Sequence, residues 1–120
     1  MRTYSIISSI VLLALLAAGC GSSDDPPAGA ATLSFELTDE GCSPRDAKAP
    51  AGPIAFEAKG ASTSATELEV LDGEKILAEK ENVTEGLEAS FTLTLEPGEY
   101  TLHCGDDQKD GTLTVTGRKG

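Results

Sequence analysis

Along most of this chain apolar and polar residues alternate in short runs, and Gly, Pro, Asn or Asp falls in most of the gaps between them. Leu33, Phe35 and Leu37 alternate with Ser34, Glu36 and Thr38. Ile54, Phe56 and Ala58 alternate with Ala55, Glu57 and Lys59, and Leu68 and Val70 with Glu67 and Glu69. Ala89, Phe91, Leu93 and Leu95 alternate with Ser90, Thr92 and Thr94. A period of two is the mark of a half-buried strand, because successive side chains point to opposite faces. Lys75 to Lys80 predicts a short edge strand. From Pro97 the chain reads as turn, strand, acidic loop and strand: Tyr100, Leu102 and Cys104 share the inward parity, and Leu113 and Val115 resume it after the loop. Glu99, Thr101 and His103 take the outward parity. The segment from Cys42 to Gly52, with Pro44, Pro50 and the adjacent Pro53, predicts irregular or edge structure. About seven short strands without a helical period imply an all-β fold, an antiparallel β-sandwich.

The N-terminus follows different rules. Arg2, an apolar run from Ile6 to Leu16 and small residues up to Gly19 predict a secretory leader over 1–19. Leu16-Ala17-Ala18-Gly19-Cys20 resembles a bacterial lipoprotein box, with cleavage before Cys20 and a diacylglyceryl group on its thiol. The apolar run falls short of the roughly 20 residues of a spanning helix, and more than one acyl chain suffices for stable anchoring. Residues 20–31, rich in Ser, Pro, Gly and Ala, predict a lipidated flexible tether. One domain then occupies 32–117, with a short tail at 118–120.

Composition narrows the function classes. The chain has 120 residues, no Trp and few aromatic residues, so its core rests on Leu, Val, Ile and Ala, and a domain this small gains much from a staple or a ligand. The net charge is −11, and removing the leader takes away Arg2 and no acid, which leaves 8 basic and 20 acidic residues, a charge of −12. Such a surface excludes nucleic acid as a partner, because no basic patch exists to replace phosphate counterions. It does concentrate cations.

Six pieces occur in one order: GCSP (Gly41 to Pro44), PAGPIAFEAKG (Pro50 to Gly60), TELEVLDG (Thr66 to Gly73), AEKENVTEG (Ala78 to Gly86), LEPGEYTLHCG (Leu95 to Gly105) and GTLTV (Gly111 to Val115). Together they resemble the EfeO-type cupredoxin-like domain of bacterial iron-uptake systems, over about Thr32 to Thr116. The resemblance implies a Greek-key β-sandwich, proximity of Cys42 and Cys104, and a metal site near the paired cysteines and a glutamate. Glu67 stands close to where cupredoxins place their first imidazole. Two departures stand out. The His-x-x-Glu motif of the helical domain that often accompanies this family is not found in this sequence, and Glu85 precedes Gly86 where the family usually has proline.

Three readings of Cys42 and Cys104 stay open. Outside the cytoplasm two cysteines in a small domain commonly form a disulfide. Reduced, they offer two thiolates to a soft ion such as Cu(I), with Glu67 as a third donor. They are otherwise two unrelated thiols. A hard site for Fe(III) would instead draw on carboxylates such as Asp39, Glu40, Asp106 and Asp107. Glu67 and Glu69 face outward by parity, as a solvated strand face also would. Asp106, Asp107 and Asp110 read as a polar loop, and His103 as an exposed residue pointing away from Cys104.

A blue-copper electron-transfer centre needs two imidazoles and a thiolate, and this sequence has a single His. No nucleophile or acid–base constellation is present either, so no enzyme is expected. The expectation is a lipid-anchored, extracytoplasmic domain that binds or hands over copper or iron, beside an iron permease or another uptake component. The alternative is a non-metal, structural or protein-binding β-sandwich stapled by Cys42–Cys104.

Overall fold

The computed structural model of this chain describes residues 27–64, 66–105 and 110–117. The leader, Cys20, most of the tether, Asp106, Asp107 and the tail therefore lie outside the described residues. Among the described residues nine strands follow one another: β1 (Ala31–Thr38), β2 (Gly41–Ser43), β3 (Ala47–Pro50), β4 (Gly52–Gly60), β5 (Leu68–Asp72), β6 (Lys75–Lys80), β7 (Glu88–Leu95), β8 (Gly98–His103) and β9 (Gly111–Thr116). No helix there is long and apolar enough to cross a membrane.

The strands form two packed sheets, one ordered β2-β1-β4-β7 and the other β3-β9-β8-β5-β6. All seven expected strands are present. The two additional ones, β2 and β3, fall in the proline-flanked segment and each lies at a sheet edge, where a missing N–H is tolerated. The sandwich is all-β as expected, and its sheets are mixed. Five pairings are antiparallel, while β1 with β4 and β3 with β9 run parallel. Parallel neighbours need a crossover connection. Here residues 44–46 carry the chain from one sheet to the other and Ala51 carries it back, with Ala51 N–H donating to the Thr116 carbonyl at 2.8 Å.

The alternating residues meet between the sheets. Leu37, Ile54, Phe56, Leu68, Val70 and Leu113 are fully buried, and Phe35, Leu102 and Val115 nearly so. Burying each such side chain stabilises the fold by roughly 1.5–3 kcal/mol. Phe56 and Phe91 are register partners whose rings stack with centroids 5.1 Å apart. Gly73, at φ +61°, opens the two-residue turn between β5 and β6, a backbone region that favours glycine. Where β7 leaves one sheet and β8 joins the other, Tyr100 Oη donates to the Glu96 carbonyl at 2.8 Å, which braces the corner. The β6–β7 connection closes one end, with Val83 buried and its N–H donating to the Thr66 carbonyl at 2.8 Å.

Cys42 on β2 and Cys104 immediately after β8 form a disulfide, with their Cα atoms 5.5 Å apart. The bond links one sheet to the other across a sequence separation of 62. In the chain-entropy treatment a loop of that length stabilises the fold by about 4 kcal/mol. The double variant Cys42→Ala/Cys104→Ala is expected to lose stability on that scale in urea titrations. A loss below about 1 kcal/mol would show that the staple matters little to this sandwich.

Candidate metal centre

Beta-strand alternation buries Leu68 and Val70 and so turns Glu67 and Glu69 outward, where each is half-buried. The same rule on β8 buries Leu102 and turns His103 outward. The strands β5 and β8 are antiparallel neighbours, and Glu69 sits directly opposite His103. Facing residues of an antiparallel pair hold their Cβ atoms about 5 Å apart, within reach of one shared ion. Glu67, Glu69 and His103 each offer a ligand atom, and these atoms all lie within 4.8 Å of one another.

The imidazole is held from both sides. Nδ1 of His103 lies 2.6 Å from Oδ1 of Asp110, and Nε2 lies 3.7 Å from Oε1 of Glu67. The His103 and Glu67 side chains are 24% and 20% exposed, against 54% for Asp110. A carboxylate on one ring nitrogen fixes the tautomer and turns the other nitrogen toward the ligand position, as metal-binding histidines commonly show. On the far side of Glu69, Glu79 of β6 is its register partner.

Charge crowding shifts two of these groups. The hydrogen bond to Asp110 raises the pKa of His103 above its ordinary 6.5; burial opposes this, and the charges of Asp110, Glu69 and Glu67 add to it. Burial raises Glu69 above its ordinary 4.5, and the Glu67 charge and the Glu79 hydrogen bond push the same way.

The structure places the residues singled out in the sequence as follows. Cys42 and Cys104 are bonded to each other and as they stand offer no thiolate, so of the set Cys42, Cys104 and Glu67 it is Glu67 that joins the group of ligand atoms. Glu69 joins it too. Asp39 lies in the β1–β2 turn, where its Oδ1 accepts from Ser62 Oγ, and it is not a member of that group. Asp106 and Asp107 lie outside the described residues. His103, expected to be exposed, is half-buried and contacts Asp110 and Glu67. Its parity is indeed opposite to that of Cys104, and the candidate centre lies on that opposite face. Asp110, expected as ordinary loop, is its partner, and Glu79 drew no attention in the sequence. The available signal was that Glu67, Glu69 and His103 share outward parity; the missing fact was that β5 and β8 are neighbours.

The family model of the cupredoxin-like domain matches residues 9–115. This chain belongs to the cupredoxin-like domain family. It is 35% identical over 85 residues to the iron uptake system component EfeO of Yersinia pestis, covering 70% of this chain and 23% of that one. The EfeO of Yersinia pseudotuberculosis matches at 30% over 115 residues, 95% of this chain and 29% of that one, and the Escherichia coli K12 protein at 36% over 69 residues, 58% and 18%. The domain is thus of the EfeO type, and the chain spans less than a third of the length of these relatives.

Solved auracyanins share the fold of this cupredoxin-like domain. Auracyanin from Roseiflexus castenholzii superposes with a TM-score of 0.62 at 17% identity, covering 73% of this chain and 99% of that one. Auracyanin B gives 0.64 at 17%, with 78% and 92% covered. A blue-copper centre is not what this domain's residues fit: one imidazole is present, and the sulfur of Cys104 is committed to Cys42.

The His103 shift carries a pH signature. The fold favours the imidazolium, so the stability it contributes is complete below about pH 6.5 and is lost as pH rises through the raised folded value. Glu69, also raised, acts in the same direction from its ordinary 4.5 upward. Urea midpoints measured across pH 5 to 9 are expected to fall through the His103 titration, roughly in line with a single group. Asp110→Ala flattens that step; an unchanged step separates the shift from the Asp110 contact.

Proposed function

We propose that this domain binds an iron ion outside the cytoplasmic membrane and passes it to a further component of an iron-uptake system. The observation that carries the reading is the meeting of Glu67, Glu69 and His103 on one sheet face with Asp110 on the far ring nitrogen. Two carboxylates and an imidazole form a hard to borderline donor set, which suits iron better than Cu(I). A soft site on Cys42 and Cys104 requires the disulfide to be opened first. The relatives named as iron uptake components support iron as the cargo.

Three half-exposed ligands at a surface leave coordination positions to water or to a partner's side chains, so an ion can be released by stepwise ligand exchange. That is the behaviour of a carrier, and we read the domain as a binder with no catalytic step of its own. The acidic surface raises the local cation concentration, and a lipid on Cys20 keeps the domain beside a membrane permease or other uptake component.

A second reading, a protein-binding sandwich without a metal, is favoured by the closed Cys42–Cys104 bond, which supplies the stability a ligand would otherwise add. Anaerobic Fe(II) titration separates the two. One equivalent is expected to bind, and Glu67→Gln/Glu69→Gln is expected to weaken it by at least about tenfold, as loss of a ligand or its support does in metal sites. Cu(II) is the competitor in the same assay, and no binding of either ion above the level of the double variant leaves the protein-binding reading. For the anchor, Cys20→Ser is expected to move the protein from the membrane to the soluble fraction; retention on membranes would refute the lipid.

A further inference from the structure

Residues 42–46 are tied to both ends of the β8–β9 connection. Cys42 bonds to Cys104, where the connection begins. Arg45 Nε donates to the Asp110 carbonyl, where it ends, at 3.0 Å. Asp46 Oδ1 accepts from the Thr112 N–H at 2.8 Å. Between these two hydrogen bonds Gly111 runs so close to the Arg45 carbonyl that a Cβ on it would overlap that oxygen. The Asp110 carbonyl and the Thr112 N–H, on either side of Gly111, are therefore both held by one short segment, which is also the segment that crosses between the sheets.

Neither Arg45 nor Asp46 belongs to the cluster of ligand atoms. The Asp110 they hold contacts His103, which does. Asp110 is more than half exposed, so water competes freely for its carboxylate, and a stable contact to His103 depends on where its backbone is kept. We propose that Arg45 and Asp46 are positioning residues of the metal centre. By pinning the backbone of Asp110 and Thr112 they keep the Asp110 carboxylate on Nδ1 of His103, so that the ring carries its proton there and presents Nε2 to Glu67 and Glu69. The disulfide fixes the opposite end of the same connection, one residue past His103. The purpose of this arm rests on the metal-binding reading above, whereas the state of the ring does not.

The chain has a single His, so a ¹⁵N-histidine label reports on this ring alone. The experiment uses the full mature chain in detergent, at a pH where the ring is neutral, with amide spectra as the check on folding. The Nδ1–H tautomer is expected to dominate in the unsubstituted protein. Arg45→Met/Asp46→Ala and Asp110→Ala are expected to shift the ring toward the Nε2–H form that a free side chain prefers. Arg45→Gln keeps an N–H donor at the same distance along the side chain and is expected to retain the Nδ1–H form. Should the double variant not fold, the single variants Arg45→Met and Asp46→Ala are read by the same signal. Fe(II) affinity is expected to fall at least about tenfold in the variants that lose the tautomer. An unsubstituted protein without the Nδ1–H form, or variants with an unchanged ring, would overturn the proposal. A ring that responds as expected in a protein that binds no Fe(II) would uphold the positioning arm and overturn the iron reading instead.

Discussion

The bond between Cys42 and Cys104 joins the two sheets at the point where the site is built. Cys104 follows His103 directly, and Cys42 opens the segment that crosses to the other sheet. A sandwich with no Trp and few aromatic residues has a core of Leu, Val, Ile, Ala and two Phe, and packing of that kind alone is thin for a domain of this size. A covalent link across a long loop compensates by restricting the unfolded chain. It also fixes the end of β8 against β2, and so gives His103 a defined place on the outer face. Remove that constraint and the site loses the reference point for its imidazole.

On that face the chemistry is one of crowding. Glu69 and Glu79 face each other across β5 and β6, with Glu67 just before β5, and like charges side by side across strands destabilise a sheet. The molecule tolerates them in two visible ways. Glu69 holds its proton to higher pH, and His103 is biased toward its cationic form. Both are the responses expected of a cluster that lacks positive charge, and perturbed groups of this kind gather at functional sites. A bound cation would relieve the same repulsion. The acidic character of the chain as a whole raises the local concentration of cations around this cluster.

Much of the fold was legible because it depends on local alternation. The seven strands, the edge position of Lys75 to Lys80 and the difficulty of the proline-flanked segment all follow from residue order. The ordered motifs led correctly to a cupredoxin-like sandwich. The mixed sheets were not legible, because parallel pairing arises from the double crossing around β2 and β3 and from no property of β1 or β9 by themselves. The site was half legible. Glu67 and Glu69 were legible as outward-facing donors, whereas their closeness to His103 depends on the pairing of β5 with β8. Asp110 looked like one more loop carboxylate, since nothing in residue order shows that Arg45 and Asp46 hold its backbone.

The sequence by itself determined which face each strand residue takes, since the pleat sets that within a few bonds of the residue concerned. It therefore determined that Glu67, Glu69 and His103 point outward while Leu68, Val70 and Leu102 point inward. Tertiary structure decided which outward residues share one sheet face, which cysteine meets which, and which loop carboxylate reaches the imidazole. Those outcomes depend on strand order and on where the chain changes sheets, and they are settled by closure of loops tens of residues long. A local period carries no information about such closures.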